Sequence, residues 1–342
     1  MVNELRGRKG LVAVLLLVLV SAIWGSTFVV VKQAIAHMSV LDFLAWRFVL
    51  AGLLLAAARP RALVRLGRRG WRNGALLGAA LAAGYMAQTY GLRSTSAAVS
   101  GFLTGLQVLF TPLIGWALSS KRPGRRTWGA VGLATAGLAV LTLRVGSLGP
   151  GEGLTIVSAV LFALQIVGLE RWSTAEDAHA LATVQLLTVG FVALTAAGPS
   201  DLRLPSSPAL WAAVVLTAVA ATAFAFVVQS WAQAHLSATS AAVVFTTEPV
   251  FAALFAAFSG EHLGWGVVVG GALVVLAMFV MGLGRMGAGM GGRTVRGMVP
   301  GAARGAAPGT APGGRRSAPA VASAAETELE PRQLPEATAV SP

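Results

Sequence analysis

The sequence predicts an all-α, polytopic membrane protein with ten transmembrane helices in two inverted five-helix repeats. Its composition points to the bilayer, because 56% of the 342 residues are hydrophobic and only 11% are charged. A typical soluble domain contains roughly 25% charged residues. The repeat is indicated by the pentapeptide TSAAV, which occurs at residues 95–99 and again at 239–243. The chain has no cysteine, which excludes disulfides, thiolate nucleophiles and cysteine-ligated metals.

Ten apolar segments, each close to the ~20 residues that a membrane helix requires, are bounded by charge, proline or glycine. They cover residues 11–31, 40–58, 73–93, 96–118, 127–145, 151–170, 179–198, 209–232, 238–259 and 264–284. Strands of a membrane β-barrel would alternate apolar and polar residues, and these segments do not. The first segment could instead be a signal peptide. Its apolar run continues past the candidate cleavage site Val20-Ser21-Ala22 to Val31, which favours a retained helix.

The two ends of the chain are predicted to lie in the cytoplasm, as a short segment at residues 1–10 and a tail at residues 285–342. The tail is rich in Gly, Ala, Pro and Arg and lacks periodicity, which is typical of disorder. If the spans alternate from a cytoplasmic N-terminus, 21 of the 26 lysines and arginines fall on the cytoplasmic side. The exceptions are Arg47 within a span and Lys32, Arg93, Arg144 and Arg203 on the outer side. The positive-inside rule therefore fits this orientation in the plasma (inner) membrane. It also explains the net charge of +13 without nucleic-acid binding.

The duplicated motif divides the spans into two units, residues 11–145 and 146–284. TSAAV lies on the fourth and the ninth span, and each copy is followed by a Trp-Gly pair, at Trp128 and Trp265. Because five is an odd number, the second unit enters the membrane from the opposite face. Inverted repeats of this kind are characteristic of secondary transporters, whose binding site lies near the midplane between the repeats.

Motifs for catalysis and metal binding are missing from the sequence. We find no HExxH, Walker, Gly-x-Ser-x-Gly or EF-hand pattern. The four histidines, His37, His179, His235 and His262, fall in loops or at helix ends and lack metal-ligand spacing. The sequence therefore predicts no enzyme activity, no metal and no cofactor.

Glu248 and Pro249 are the most unusual pair in the apolar segments. Glu248 is the only acidic residue near the centre of a span. A charge there is costly, so the side chain should face the bundle interior, where burial disfavours the charged form and makes the carboxyl protonatable. Pro249 should free a carbonyl one turn back, near Phe245. Either the pair belongs to a proton or substrate pathway, or it ties two helices together.

Arg47 and several amides and aromatic residues are the other candidates for a substrate pathway. Arg47 could contact an anionic substrate group, pair with Glu248, or snorkel to the headgroups. Polar or amphipathic residues within the spans could line a cavity or simply join helices by hydrogen bonds. They are Trp24, Tyr85, Gln88, Tyr90, Gln107, Gln165, Gln185 and Gln229.

Four segments together resemble the EamA-type members of the drug/metabolite transporter superfamily. They are AIWGSTFVVVKQAI (22–35), RFVLAGLLLA (47–56), the duplicated TSAAV, and TEPVFAALFAAFSGEHL (247–263), and the resemblance covers about residues 11–284. It implies ten helices in two inverted repeats and secondary transport, mostly export, of small metabolites such as amino acids or drugs through a central cavity. One departure is that aligning the two TSAAV motifs places Thr104 opposite Glu248, so an acidic site would be one-sided.

We therefore expect a secondary transporter that exports, rather than imports, a small organic metabolite by alternating access, with protons as a candidate coupling ion. The bilayer and the small molecule are its expected partners, and the sequence allows a homodimer without predicting one. The alternatives are a membrane-embedded enzyme, a non-transporting assembly partner, and a passive channel. The substrate itself cannot be read from the sequence.

Overall fold

The computed structural model describes residues 2–119, 149–198 and 201–291, and between them residues 124, 125, 128, 129, 132, 133, 136, 137 and 140. Within these residues every regular element is helical. The helices are α1 (Val2–Ala34), α2 (Val40–Ala58), α3 (Pro60–Arg65), α4 (Gly67–Leu92), α5 (Ala97–Gly105), α6 (Gln107–Ser119), α7 (Pro150–Trp172), α8 (Ala178–Ala197), α9 (Pro208–Ala218), α10 (Ala225–Gln233), α11 (Ala238–Val244), α12 (Glu248–Phe258) and α13 (Trp265–Gly291). A π-helical segment, Val219–Phe224, joins α9 to α10, and a 3₁₀ turn, Phe245–Thr247, joins α11 to α12.

The protein is a helical membrane protein, as its composition predicts. Among the described residues, six segments are long and apolar enough to cross a membrane: Lys9–Ala34, Val40–Ala58, Ala97–Leu118, Pro150–Trp172, Ala178–Ala197 and Pro208–Gln233. Two shorter apolar helices follow, Glu248–Phe258 and Trp265–Ala277. Most of the predicted fifth span (127–145) and the tail beyond residue 291 lie outside the described residues. Helix α13 continues to Gly291, past the predicted end of the tenth span at residue 284.

Helix α4 covers the predicted third span, although it begins six residues earlier. Its first turns carry Arg68, Arg69 and Arg72, which lower its overall apolar character. The rest of α4 is rich in glycine and alanine and packs against α7 and α8. At Gly78 an added Cβ atom would lie 2.8 Å from the backbone oxygen of Gln185. The small residues of α4 therefore allow α4 and α8 to approach each other closely.

Three of the predicted spans are interrupted where the sequence predicts continuous helices. The fourth span breaks at Leu106 between α5 and α6. The eighth contains the π-helical segment, and the ninth contains the 3₁₀ turn immediately before Glu248. Segments of π- and 3₁₀-helix redirect side chains and free backbone carbonyls, and they are frequent at functional sites. All three interruptions adjoin residues of the cavity described below.

The helices of the first half of the chain pack mainly against helices of the second half. Helix α1 contacts α12, α2 contacts α8, α4 contacts α7 and α8, and α5 contacts α12. Gly25 permits the approach of α1, since a Cβ atom there would lie 2.6 Å from Phe251 Cβ and 2.8 Å from the backbone nitrogen of Ala252. This contact holds the beginning of α12, where Glu248 lies, against the middle of α1.

Candidate functional site

Eight of the eleven candidate residues named from the sequence line one polar cavity, which we call the central cavity. They are Trp24, Arg47, Tyr85, Gln88, Gln107, Gln165, Gln229 and Glu248. These residues come from α1, α2, α4, α6, α7, α10 and α12, so both halves of the chain contribute. Aromatic side chains complete the walls, among them Phe162, Phe226 and Phe245. A concave apolar site with a few convergent polar groups is the usual form of a small-molecule site.

Glu248 is the first residue of α12, and its side chain is buried, with 4% exposure. Gln107 Nε2 donates a hydrogen bond to Glu248 Oε2 at 3.4 Å. No ion pair to Glu248 is found among the residues that the structure describes. A carboxyl group has two oxygens and about four acceptor positions, so a single long hydrogen bond leaves most of its capacity available to a ligand or a proton.

Pro249 positions Glu248, but it acts differently from the sequence-based expectation. Proline occupies the first turn of α12, where the missing N–H is tolerated. The Phe245 carbonyl is not left free, because it accepts a hydrogen bond from the backbone N–H of Glu248. The expected free carbonyl near Phe245 was therefore wrong. Pro249 is buried but does not line the cavity. A residue without an N–H at this position is compatible with the 3₁₀ turn that precedes Glu248.

Arg47 is buried beside the same cavity, with 3% exposure, so the alternative of snorkelling to the headgroups was wrong. Its Nε donates to Thr222 Oγ1 at 2.7 Å. Its guanidinium carbon lies 5.2 Å from the ring centroid of Phe48 and 5.1 Å from that of Tyr85, which is within cation–π range. Among the described residues no ion pair joins it to Glu248. Arg47 is thus held by a hydroxyl and two rings, and its charge has no anionic partner there.

The π-helical segment holds both Arg47 and Trp24. Thr222 accepts from Arg47 and donates its own hydroxyl proton to the Thr217 carbonyl at 2.8 Å. One residue earlier, the Ala221 carbonyl accepts from Trp24 Nε1 at 2.8 Å. The indole ring also packs against Phe226 and Phe245, with centroids 5.7 and 5.4 Å away. Trp24 therefore presents an aromatic face to the cavity, while its N–H group is already paired.

The glutamines of the cavity are joined to polar neighbours on other helices. Gln88 Nε2 donates to Thr104 Oγ1 at 3.0 Å, and Gln165 Nε2 donates to Gln185 Oε1 at 2.9 Å. Tyr90 does not belong to this set: it is absent from the cavity wall, and 39% of its side chain is exposed. Each residue turns a helix by about 100°, so Tyr90, two residues after Gln88, lies roughly on the opposite face of α4.

Two pairs of cavity residues occupy equivalent positions in the two halves of the chain. Thr104 and Glu248 are 144 residues apart, as are the two TSAAV motifs, and so are Tyr85 and Gln229. All four side chains line the central cavity. The first-half member of each pair carries a hydroxyl, whereas the second-half member carries a carboxyl or an amide. The acidic site is therefore one-sided, in keeping with the sequence alignment.

Sequence reasoning missed Thr222 and the phenylalanine walls. In an apolar span a phenylalanine that lines a cavity cannot be distinguished from one that packs in the core. A single threonine does not indicate a π-helical segment. Tyr85 and Gln229 were visible only as two of many polar or amphipathic residues. Nothing in a one-dimensional pattern separated them from Tyr90, because the rotation of each helix relative to its neighbours decides which face meets the cavity.

A second polar group, the Glu261 cluster, consists of Lys32, Thr95, Ala97, Ala98 and Glu261. Glu261 Oε1 accepts from Lys32 Nζ at 3.3 Å and from the Ala97 N–H at 3.0 Å, while Oε2 accepts from the Ala98 N–H at 3.3 Å. Lys32 Nζ also donates to the Thr95 carbonyl at 3.0 Å. The carboxylate thus caps the beginning of α5, where it favourably meets the positive end of the helix dipole.

Metal ligation is not indicated in the described part of the chain, where no three His, Cys, Asp or Glu side chains come together in a way that could hold an ion. The polar groups of the central cavity are amides, hydroxyls, one guanidinium and one carboxyl. This set suits an organic molecule with both charged ends and apolar surface.

The proteins of known sequence to which this chain is similar include several named as transporters. The model of the EamA-like transporter family matches the chain twice, over residues 11–143 and 149–283. An uncharacterized transporter of Archaeoglobus fulgidus is 31% identical over 280 residues, covering 81% of this chain and 88% of that protein. A second uncharacterized transporter of the same organism is 25% identical over 283 residues, covering 78% of this chain and 96% of that protein.

Two further similarities are more limited. A probable terminal-alkyne amino-acid exporter of Streptantibioticus cattleyicolor is 33% identical over 125 residues, which is 36% of this chain and 40% of that protein. A crystal structure matches the fold with a TM-score of 0.61 and 18% identity, covering 79% of this chain and 96% of the other. At that identity the likeness concerns the fold alone.

Proposed function

The chain belongs to the EamA-like transporter family, and from that premise we propose that it is a secondary transporter that exports an amino acid with an apolar side chain by alternating access. The observation that carries the proposal is the presence of Arg47 and Glu248 in one cavity. Both are buried, and no ion pair between them is found among the described residues. A zwitterion supplies a carboxylate for the guanidinium and an ammonium for the carboxyl.

The aromatic walls of the central cavity are the evidence for an apolar side chain on this substrate. Trp24 packs against Phe226 and Phe245 beside the polar groups, so a hydrocarbon side chain could be buried there while both charges are met. The relative named as a probable terminal-alkyne amino-acid exporter is similar to part of this chain. We extend the amino-acid class to this protein on the strength of the charge pair rather than of that name.

We further infer ten spans in two inverted repeats, residues 11–145 and 146–284, with residues 1–10 and the 285–342 tail in the cytoplasm. Support comes from the two separate matches to the family model. It also comes from the equivalent positions of Thr104 and Glu248, which line one cavity from the two halves. Repeats related in this way can exchange inward- and outward-facing arrangements around a fixed site. The biased distribution of lysine and arginine supports the orientation in the plasma membrane.

We propose the proton as the coupling ion, with Glu248 as its carrier. Glu248 has a single long hydrogen bond, from Gln107, and the other titratable groups that line the same cavity are Arg47 and Tyr85. Binding of the substrate ammonium and binding of a proton would then compete for the same carboxyl oxygens. Such competition couples the two movements in opposite directions, so that proton entry drives export.

The proposed substrate class is tested by uptake into proteoliposomes that contain the purified protein. The labelled compounds are L-leucine, L-phenylalanine and L-propargylglycine, with L-lysine and succinate as charge-mismatched controls. We expect saturable uptake of at least one of the first three and none of the controls beyond empty liposomes. Flux that rises linearly with concentration would indicate a channel. Preference for L-lysine or succinate would contradict the assignment of the charge pair.

Proton coupling is tested in the same liposomes with an entrapped pH-sensitive dye. We expect an inward substrate gradient to move protons outward in the wild type. Glu248→Gln, which keeps the shape of the side chain but cannot ionise, should lose this proton movement, and the weaker substrate exchange that remains should no longer depend on pH. Unchanged proton movement with intact transport in Glu248→Gln would refute the role of Glu248.

A further inference from the structure

Three buried glutamines form a chain of hydrogen bonds that crosses from α8 through α7 to α10. Gln165 Nε2 donates to Gln185 Oε1 at 2.9 Å, and Gln229 Nε2 donates to Gln165 Oε1 at 3.2 Å. None of the three side chains is more than 2% exposed. Because bulk water does not reach these amides, each donor and acceptor depends on the groups next to it.

The direction of this chain is set at the end where Gln185 lies. Gln185 Nε2 donates to the backbone carbonyl of Leu181 at 3.2 Å. A backbone carbonyl can only accept, so turning the Gln185 amide over would bring two oxygens together. Gln185 must therefore direct its oxygen at Gln165, which must in turn direct its own oxygen at Gln229. One backbone carbonyl thus fixes the orientation of all three amides.

The consequence appears at the other end of the chain, where Gln229 lines the central cavity. Its nitrogen donates to Gln165, and its oxygen, Oε1, is buried without a hydrogen-bond partner among the described residues. Buried side-chain oxygens in native proteins nearly always accept at least one hydrogen bond. A residue of the cavity wall therefore carries an acceptor of fixed orientation for which the described part of the chain supplies no donor.

Several donors around the cavity are directed at other acceptors. Arg47 Nε donates to Thr222, Gln88 Nε2 to Thr104, Gln107 Nε2 to Glu248, and Trp24 Nε1 to the Ala221 carbonyl. No donor among the described residues forms a hydrogen bond with Gln229 Oε1, so in this arrangement the missing hydrogen bond has to come from a bound molecule. Water could supply it in the empty state, and a substrate N–H group could supply it in the loaded state.

We propose that Gln229 Oε1 accepts a hydrogen bond from the ammonium group of the substrate and so determines specificity for primary amines. Gln165 and Gln185 are positioning residues that hold the Gln229 amide in this orientation. The inference rests on the proposed transport function and assigns one end of the substrate within it. An ammonium has three N–H donors, so it can use both Gln229 and the Glu248 carboxyl. A quaternary ammonium has the same charge and no donor.

The test compares L-leucine with leucine betaine, its N,N,N-trimethyl derivative, as competitors and as labelled substrates in proteoliposomes. In the wild type we expect a KM for leucine about tenfold lower than that for the betaine, the effect of one net hydrogen bond. In Gln229→Met the KM for leucine should rise about tenfold, while the KM for the betaine should stay within about twofold, since the betaine has no N–H group to donate to the acceptor.

Gln233→Met is the matched control. Gln233 lies one turn further along the same helix, is 3% exposed, donates to the Ile166 carbonyl at 2.9 Å, and also has an unpaired Oε1, but it does not line the cavity. We expect Gln233→Met to leave the ratio of the two KM values unchanged. Gln185→Leu serves as a second variant outside the cavity. Gln185→Leu should reduce the ratio of the betaine KM to the leucine KM, because the Gln165 and Gln229 amides are then free to turn over.

The possible outcomes separate this inference from the proposed function. If the wild type transports leucine and Gln229→Met keeps the wild-type preference over the betaine, Gln229 binds only water and the inference is overturned. The same holds if Gln233→Met changes the preference as much as Gln229→Met does. If the wild type transports neither compound in saturable fashion, the proposed amino-acid substrate fails, and the role of Gln229 fails with it.

Discussion

Glu248 and Glu261 lie near the two ends of α12, and the difference between them separates a binding group from a structural one. Glu261 has a lysine and two backbone N–H groups as partners, with every contact at 3.3 Å or less. Among the described residues Glu248 has one hydrogen bond, at 3.4 Å, although it is the more deeply buried of the two. The acceptor positions of the Glu261 carboxylate are largely occupied by protein groups, so few remain for a ligand. The Glu248 carboxyl is buried with most of its acceptor positions unoccupied, so it is the one that can bind a ligand.

The two residues also connect different parts of the chain. Glu261 joins the end of α1 to the beginning of α5 through Lys32 and Ala97, so it links the second half of the chain to two elements of the first. Gly260 precedes it with a φ of 89°, a backbone conformation that favours glycine. Glu248 instead faces the space between the halves. If the halves move against each other during transport, the Glu261 cluster is a contact that must break and re-form.

The largest expected effect is the contrast between Glu248→Ala and Glu261→Ala in transport of the best amino-acid substrate. Removing one partner from a buried charged contact costs about 100-fold in affinity or rate, so Glu248→Ala should lower kcat/KM by about that factor. Glu261→Ala should lower it by less than about tenfold, since it contacts no cavity residue. Both rates come from proteoliposome uptake at matched protein content. Equal losses in the two variants would remove the distinction between the binding and the structural carboxyl.

For the stability of the folded protein we expect the opposite order, with a larger loss in Glu261→Ala than in Glu248→Gln. Glu261→Ala removes the acceptor of the Ala97 and Ala98 N–H groups at the start of α5, although the Ser96 cap remains. The loss should be about 1–2 kcal/mol and should lower the detergent melting temperature measured by size-exclusion fluorescence. The Lys32 contact adds little, because that pair is partly exposed and screened by solvent. Lys32→Met should therefore cost less than Glu261→Ala. Glu248→Gln should leave the melting temperature unchanged or raise it. A larger loss in Glu248→Gln than in Glu261→Ala would show that Glu248 chiefly ties helices together.

The smallest expected effect is that of Pro249→Ala. Alanine restores an N–H that can reach the Phe245 carbonyl, now bonded to the Glu248 N–H, so the 3₁₀ turn should become α-helical and rotate Glu248. Proline in the first turn contributes at most about 1 kcal/mol to stability, so folding should persist. We expect uptake to fall by about two- to fivefold, with an unchanged melting temperature. Uptake at the wild-type rate would mean that the 3₁₀ turn is not needed to place the carboxyl.

Much of the candidate site could be found from the sequence where chemistry alone marks a residue. Glu248 stood out because a carboxyl in the middle of an apolar span is rare, and the structure places it in the central cavity. Arg47 also stood out as a charged residue within an apolar span. The sequence could not predict whether its side chain is buried or snorkels to the headgroups, because its position in the span is compatible with both. The choice depended on Thr222 and Tyr85, which lie far away in sequence and adjacent in space.

By itself the sequence determined the helical membrane character and the family, and it singled out the two charged residues that line the central cavity, because hydropathy, short motifs and isolated charges are local properties. Only the tertiary structure decided which side chains share the cavity, since that depends on how each helix is rotated and where it is broken. It placed Gln88 in the cavity wall and Tyr90 outside it, and it bent the ninth predicted span through a 3₁₀ turn. It alone aligned Gln185, Gln165 and Gln229, because hydrogen bonds between distant helices leave no periodic trace in the chain.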